Sequence, residues 1–405
     1  MNKLTRFSLS LLIFSIPWEE AVKIYGIGTC ARLLGYATLL FAFACIISEK
    51  ELRELHTVHL LSVVFLAWSA LTVFWSDSPI AALKRLLVLT RVAGLSWLIW
   101  QFAQTKKRQY SLIKAYIFGC CVSIASLFLN YACGVQRVGS AVERFRGAEM
   151  NENDLAVILA ISIPFALHVA NSEFISKKIF RWLYFLYCPI AGTATLMTGS
   201  RAGSIILILG IILATFSYYF EEGLKARVVV IIVIVAGLIG VFVSLPQKTK
   251  ERLESTKMEM LEGSMGGRKI IYRIGFNLFL DNPVVGNGIG SFREITKSCL
   301  PTGQQASHST YLGIAVETGA IGFILYFSIP LFLFIKTKKS PLYMRLFMTT
   351  ILLMWFASGI SLNWYYTKTT WYIFGLCAAI MGIQNEQIKK LKRTNSCHKV
   401  HLKII

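Results

Sequence analysis

Acidic residues are scarce in this chain, which has 21 Asp and Glu against 42 Lys and Arg among its 405 residues. In a soluble protein such an excess of basic residues is typical of nucleic-acid binding. Here, however, 55% of the residues are hydrophobic, above the roughly 45–50% of a soluble domain, and the mean hydropathy is +0.59. Most basic residues fall in short segments between apolar runs. We therefore interpret the charge as a membrane-topology signal and expect no nucleic-acid partner.

Recognisable metal-binding motifs are also missing. The nine cysteines do not group at the spacing of a zinc site, and no Asp-rich motif is present. A Ser/His/Asp arrangement that the sequence could place in space is missing as well. The sequence therefore offers no recognisable metal site, and we expect no cofactor. Cys133 and Cys299 lie in polar segments, and a disulfide between them stays an open question.

The apolar runs predict transmembrane helices, because about 18–22 apolar residues cross ~30 Å of hydrocarbon. The runs are continuous rather than alternating, which is typical of helices. We predict twelve spans, near residues 6–20, 29–48, 57–76, 82–103, 111–132, 153–171, 180–197, 202–220, 227–245, 309–335, 343–361 and 367–384. The first run resembles a signal peptide, but no small-residue cleavage site follows it, so we expect a retained span. The predicted fold is an all-α polytopic membrane protein forming one integral membrane domain over residues 1–405.

Basic loops orient these spans, because Lys and Arg concentrate on the cytoplasmic side. With the N-terminus inside, every inner loop is basic, and the basic tail 385–405 also falls inside. Three polar segments then lie outside, at 133–152, 198–203 and 246–308. We expect the third, a long loop between spans nine and ten, to contain two short helices. They are predicted over Lys248–Leu261 and over Arg268–Leu280, the second ended by Asp281-Asn282-Pro283.

Arginine is unexpectedly frequent in these outer segments. The residues are Arg137, Arg144 and Arg146 in the first, Arg201 in the second, and Arg268, Lys269 and Arg273 in the third. The guanidinium fork suits phosphate oxygens, so the pattern indicates an anionic, lipid-borne phosphate. The alternative is that they are solvated or reach lipid headgroups, which we favour for Arg137 and Lys248. Within the fourth span, Lys84 and Arg85 lie near the outer end, where they could reach the interface. Arg91 lies about two turns deeper and is expected to face the bundle interior, where a structural ion pair and a substrate role both stay open.

His308 is the candidate acid or base, since it is an outer histidine at the point where the long loop enters the tenth span. Upstream lies Gly286-Asn287-Gly288-Ile289-Gly290, which we interpret as a tight turn. A nucleotide-binding reading would need a strand before it and a helix after it in a βαβ unit. Glu317 lies about 13 Å along the predicted helix from His308 and needs another partner. A structural role for Glu317 and a catalytic one both stay open.

The motifs together resemble the O-antigen ligase and polymerase superfamily. The resemblance is carried by Gly286–Phe292, by His308-Ser309-Thr310-Tyr311-Leu312 with Val316–Gly322, by Thr198–Gly203, and by Arg146-Gly147 with Asn151–Ala156. Two positions depart from the family pattern. Ser309 stands where asparagine is usual, and Glu152 replaces a proline.

This resemblance implies a metal-independent, inverting glycosyltransferase of the GT-C type in the bacterial inner membrane. It would act on undecaprenyl-pyrophosphate-linked O-antigen and on lipid A–core, with membrane lipids around it and the active site in the periplasm. Arg201 and Arg268 would hold the pyrophosphate, and His308 would assist the acceptor hydroxyl or the leaving group. Further substrate-binding candidates are Arg144, Arg146, Asn153, Lys269, Arg273 and Arg85.

Two other functions compete with a ligase. A polymerase would share the same motifs, and we favour the ligase because the chain is strongly basic and because one late loop carries both Arg268 and His308. A twelve-span transporter would place its polar site near the membrane midplane, often between inverted repeats. The polar segments here lie at the predicted outer rim, and the sequence shows no repeat.

Overall fold

The computed structural model describes residues 2–26, 28–135, 145–175, 177–219, 268–299 and 305–401. Its first eight helices are α1 (Asn2–Ser15), α2 (Cys30–Glu49), α3 (Thr57–Leu71), α4 (Pro79–Phe102), α5 (Lys106–Ala132), α6 (Glu152–Ala170), α7 (Lys178–Met197) and α8 (Arg201–Tyr219). Five follow the gap after residue 219: α9 (Arg268–Asp281), α10 (Phe292–Cys299), α11 (Thr310–Lys336), α12 (Leu342–Ser358) and α13 (Lys368–His401). A two-stranded antiparallel hairpin joins α1 to α2, with β1 at Lys23–Ile24 and β2 at Gly28–Thr29.

The all-α prediction is confirmed for the described residues, apart from this small hairpin. A helix lies in each predicted span except the ninth (227–245), which falls outside the described residues. Five helical segments are long and apolar enough to cross a membrane, namely Cys30–Glu49, Thr57–Trp75, Lys106–Ala132, Glu152–Ala170 and Thr310–Lys339. The protein is therefore an all-α protein of membrane type.

The ends of the first and last helices differ from the predicted spans. α1 ends at Ser15 and continues as a 3-10 turn over Ile16–Trp18, where Pro17 cannot donate the next helical hydrogen bond. α13 continues to His401 instead of ending near 384. The residues after 384 contain no glycine or proline up to that point, so nothing in the backbone stops the helix.

Polar contacts at one end of the bundle join the end of one helix to the start of another. Lys368 at the start of α13 pairs with Glu19 just after α1. The indole Nε1 of Trp364 donates to Asp154 Oδ1 at the start of α6, over 2.7 Å. His308 lies in this group of segments, so we call it the His308 end.

Contacts at the opposite end join the other helix termini. Asn2 Nδ2 donates to Glu49 Oε2 over 3.0 Å, and Arg53 Nη1 donates to the carbonyl of Trp100 over 3.0 Å. Helices whose ends alternate in this way cross the bundle back and forth, as the predicted topology requires.

The glycine-rich turn is docked into a break in α11. Gly319 interrupts that helix with a φ of 67°, and the turn fills the gap that the break leaves. The backbone N–H of Asn287 donates to the carbonyl of Val316 over 2.9 Å, and that of Ala320 donates to the carbonyl of Pro283 over 2.9 Å. Gly286, Gly288 and Gly290 all have positive φ, which confirms the predicted tight turn.

We expect Gly319→Ala to destabilise the protein by at least about 1–3 kcal/mol, the cost of a strained backbone conformation. An added Cβ would lie 2.2 Å from the carbonyl oxygen of Val284, and backbone cannot rotate out of the way as a side chain can. The measurement is the thermal unfolding midpoint of the purified protein in detergent.

The matched control is Gly94→Ala in α4, where an added Cβ meets no atom within 4 Å. Helical alanine is favoured over glycine by roughly 0.5–1 kcal/mol, so this variant should be neutral or slightly stabilised. Equal midpoints for the two variants would show that the docked turn does not depend on Gly319.

Candidate active site

His308 lies in the bend that leads into α11, and its backbone is held tightly. Its φ is 48°, a left-handed conformation that is uncommon for a non-glycine residue. The hydroxyl of Tyr272 on α9 donates to the carbonyl of His308 over 3.3 Å. On the other side, the backbone N–H of Thr310 donates to the carbonyl of Gly359 over 2.8 Å. These contacts fix the direction in which the imidazole leaves the chain.

Ser309 is the N-cap of α11. Its hydroxyl accepts from the backbone N–H of Leu312 over 3.4 Å and donates to the carbonyl of Gly359 over 3.3 Å. Serine and asparagine are about equally good N-cap residues. The departure of Ser309 from the family pattern is therefore compatible with the same capping role.

Two guanidinium groups lie close enough to His308 to act on its protonation. Burial, together with the positive charges of Arg268 and Arg293, lowers the pKa of the His308 imidazole to about 4. Each effect disfavours the imidazolium form. In the absence of an anion, His308 is therefore neutral at physiological pH and can accept a proton.

Arg268 is held both at its backbone and at its guanidinium group. It begins α9, and its Nη1 donates to the carbonyl of Ser361 over 3.1 Å, in the segment between α12 and α13. Thr310 ties the same segment to α11, since its hydroxyl donates to the carbonyl of Leu362 over 2.7 Å and accepts from the N–H of Trp364 over 2.8 Å. One hydrogen-bonded segment thus connects Arg268 with the start of α11.

Arg293 reaches the site through α10. Thr296, one turn later on that helix, donates from its hydroxyl to the carbonyl of Gln305 over 3.2 Å and accepts from the N–H of Gln305 over 3.3 Å. Residues three apart on a helix share a face, so Arg293 faces the segment that leads to His308. Arg293 is not among the residues predicted from the sequence, although an arginine just after the glycine-rich turn fits the same excess of outer arginines.

Arg201 follows directly after a residue that contacts Asn153, at the same end of the bundle. Arg201 begins α8 and is half-buried. The hydroxyl of the preceding Ser200 donates to Asn153 Oδ1 over 2.9 Å. An added Cβ on Gly203 would lie 2.3 Å from that of Ala156, so α8 crosses α6 at close range. The neighbour of Asn153, Asp154, bonds Trp364 as described above, which links this turn to the segment that holds Arg268.

The other predicted substrate-binding residues are differently placed. Arg146 forms ion pairs of 3.4 Å with both Glu149 and the buried Glu152, so it already has carboxylate partners. Lys269 and Arg273 are exposed on α9. Arg144 falls outside the described residues, as do Arg137 and Lys248 and the helix predicted over 248–261. The helix predicted over Arg268–Leu280 is confirmed by α9.

Glu317 is buried in α11 with a partner that the sequence did not suggest. The hydroxyl of Tyr365 donates to Glu317 Oε2, and the carboxylate is 2% exposed. The guanidinium of Arg85 lies over the ring of Tyr366, with Cζ 3.6 Å from the ring centroid. Arg85 therefore lies beside the Tyr365–Glu317 pair, and these groups form a polar cluster behind the glycine-rich turn.

Tyr365→Phe should destabilise the protein by about 1–3 kcal/mol, because it leaves a buried carboxylate without its hydroxyl donor. Tyr372→Phe is the matched control, since the buried hydroxyl of Tyr372 has no hydrogen-bond partner among the described residues. Thermal unfolding of the two variants should show a lower midpoint for Tyr365→Phe alone. A similar loss in both would remove the special role of the Glu317 contact.

Cys133 is exposed with a free thiol, and the side chain of Cys299 falls outside the described residues. The question of their pairing therefore stays as the sequence left it. Among the described residues, no group of three or more His, Cys, Asp or Glu could hold a metal ion.

Comparison with known proteins finds one similarity, over part of the chain. The sequence profile described as O-antigen ligase matches residues 186–327, about a third of the chain. A comparison with curated proteins finds no match. The matched region runs from α7 to α11 and contains Arg201, Arg268, Arg293 and His308. Residues 186–327 are thus similar to the O-antigen ligase family, which supports the resemblance that the motifs carry.

Proposed function

We propose that this protein is an O-antigen ligase that transfers polysaccharide from undecaprenyl pyrophosphate to lipid A–core. It would be a GT-C-type enzyme with about twelve spans in the bacterial inner membrane. Both termini would be cytoplasmic, and the His308 end would face the periplasm. The observation that carries this proposal is the half-buried His308 with the charges of Arg268 and Arg293 beside it, inside an O-antigen ligase family domain.

The charges of the site suit a pyrophosphate leaving group. Arg268 and Arg293 act on the same imidazole, and among the described residues neither is ion-paired to a carboxylate. Fixed cations of this kind stabilise charge that develops on a departing oxygen without reorganising. Arg201 would add to this group from the start of α8.

The reaction we propose is a single inverting displacement. The acceptor hydroxyl attacks the anomeric carbon of the first sugar, and its proton passes to neutral His308. The bond between that carbon and the pyrophosphate oxygen breaks, and the pyrophosphate leaves with the electron pair and is held by Arg268 and Arg201. The negative charge of the bound donor offsets the nearby guanidiniums, so it raises the proton affinity of His308 when a base is needed.

A strain that lacks the gene tests this function through its lipopolysaccharide gel. For a ligase, all O-antigen disappears from the core while polymer accumulates on the lipid carrier, and the intact gene restores the ladder. Core carrying a single repeat would instead assign the protein as an O-antigen polymerase. A normal ladder in the deletion strain would contradict both functions.

A further inference from the structure

A cavity of about 740 Å³ lies between α1, α2, α4 and the starts of α6 and α13. Its longest wall is one face of α4, where lining residues recur every three or four positions from Ala81 to Leu98. Seventeen residues of helix rise about 25 Å. That length exceeds half of the ~30 Å hydrocarbon thickness, so the cavity is long enough for a lipid chain of one leaflet.

The polarity of this wall changes along its length. Lys84 and Arg85 line the cavity near the His308 end, and Arg91 lines it about two turns deeper. Beyond Arg91, the residues of α4 that line the cavity are apolar and include Leu95 and Leu98. A site with cations at one end and aliphatic side chains at the other fits a lipid with an anionic headgroup.

Arg91 is the most informative of these cations. It is half-buried, and its guanidinium carbon lies 5.5 Å from the centroid of the Tyr36 ring. Among the described residues no carboxylate forms an ion pair with it. An arginine within an apolar helix is costly unless it meets a partner or an aqueous cavity. Arg91 therefore points to an anion that enters the cavity.

The acidic side chains of the cavity do not supply that anion. Glu19 pairs with Lys368, Glu20 with Lys23, Glu149 with Arg146, and Asp154 accepts from Trp364. The remaining one, Glu294, is exposed on α10 next to Arg293 in sequence. The first four acids thus have partners away from α4, which leaves the charges of Lys84 and Arg91 uncompensated by them.

The cavity meets the proposed pyrophosphate site at Arg293 and does not include the other residues of that site. Arg293 and Asn363 line the cavity, whereas Arg201, Arg268 and His308 do not. Because Arg293 also faces His308, a ligand in the cavity would lie next to the reacting centre and leave the donor residues free. Glycosyl transfer to a lipid needs this arrangement, since two lipid substrates must reach one carbon.

We propose that this cavity binds the acceptor lipid through a phosphate on its sugar headgroup. Arg91 and Arg85 are the anion ligands, and the α2–α4 wall holds an acyl chain. The inference rests on the proposed function, because it assigns the second of two substrates. It commits to the acceptor rather than the donor because Arg201 and Arg268, which hold the pyrophosphate in the proposed reaction, lie outside the cavity.

Binding to the purified full-length protein in nanodiscs tests this assignment without any transfer reaction. The probes are a bis-phosphorylated diglucosamine glycolipid, its dephosphorylated form, and undecaprenyl pyrophosphate. We expect dephosphorylation to weaken glycolipid binding by about tenfold, as the loss of a charge-assisted contact does. Arg91→Gln should remove that tenfold difference and leave undecaprenyl pyrophosphate binding unchanged, and Arg91→Lys should restore part of it.

Two controls keep the result interpretable. Lys114→Gln removes another half-buried cation, on α5 and away from the cavity, and should keep the phosphate preference. Val88→Trp fills the cavity and should weaken glycolipid binding, whereas Leu87→Trp on the exposed side of α4 should not. An unchanged phosphate preference in Arg91→Gln, or a larger loss of undecaprenyl pyrophosphate than of glycolipid, would overturn the assignment. Because no transfer is measured, failure of the ligase function would show separately in the lipopolysaccharide gel.

Discussion

Replacing His308 with alanine is expected to lower polysaccharide transfer by about 10²–10⁴-fold, the usual contribution of general acid–base catalysis. The variant should fold, because the contacts that hold this bend use the backbone carbonyl of His308 and the side chains of Tyr272 and Ser309 rather than the imidazole. The measurement is the initial rate of transfer in proteoliposomes, with binding of undecaprenyl pyrophosphate measured in parallel.

The control for this variant is His398→Ala in the basic tail, which should transfer at the normal rate. A His308→Ala enzyme that retains more than about a tenth of the normal rate would remove His308 from the proton transfer. Loss of donor binding with no further loss of rate at saturation would instead make it a binding residue.

The protonation of His308 should also depend on pH in a characteristic way. In ligand-free protein its pKa is about 4, so ¹⁵N-histidine NMR should show a neutral ring at pH 6 that becomes protonated only near pH 4. Arg293→Gln removes a nearby positive charge and should raise that pKa towards the ordinary 6.5. A midpoint near 6.5 in the unmodified protein, assigned with His308→Ala, would contradict the buried and cation-flanked environment.

Arg268→Gln should lower transfer by about 10²–10³-fold, the cost of removing a donor that stabilises developing negative charge. Arg268→Lys should recover little of this, because an ammonium group cannot reproduce the two-point contact of the guanidinium fork. Part of the loss should be in donor affinity and part in the rate at saturating donor, since the leaving group gains charge in the transition state.

Lys297→Gln is the matched control for Arg268. Lys297 is an exposed cation on α10, and its removal tests whether any positive charge in this region matters. We expect less than a threefold change for Lys297→Gln. Comparable losses in both variants would mean that the region acts through its net charge and not through a positioned Arg268.

Much of the helical framework could be predicted from the sequence, because a run of apolar residues has few alternatives in a membrane. The helix at Arg268–Asp281 was also predictable, since its apolar face and the following Asn282-Pro283 are local signals. Local signals did not locate the end of α13 or the short hairpin after α1. The secondary-structure propensity of these residues is weak, and contacts with other parts of the chain determine their structure.

The residues of the candidate site likewise include some that local sequence signals predict and some that they do not. The motifs singled out His308 and Arg268 in advance. They could not reveal that Arg293 faces His308, because that depends on how α10 is tied to Gln305. The pairing of Glu317 with Tyr365 was also out of reach, since 48 residues separate them in sequence. A partner distant in the chain leaves no periodic signal.

The glycine-rich turn shows how a correct local prediction can miss the reason for a motif. Its composition indicated a tight turn, and the turn is present. Its role is to complete the hydrogen bonding of α11 around Gly319. This close approach requires glycine, which has no side chain, in both segments. The motif around Gly286 and the one around Gly319 are therefore two halves of one contact.

The most direct test of the central claim is transfer by the purified protein in proteoliposomes that contain only undecaprenyl-pyrophosphate-linked O-antigen and lipid A–core. We predict one lipid A–core molecule extended by polysaccharide for each undecaprenyl pyrophosphate released, with both products lost in His308→Ala. Elongated polysaccharide still attached to undecaprenyl pyrophosphate, with no change in lipid A–core, would contradict it.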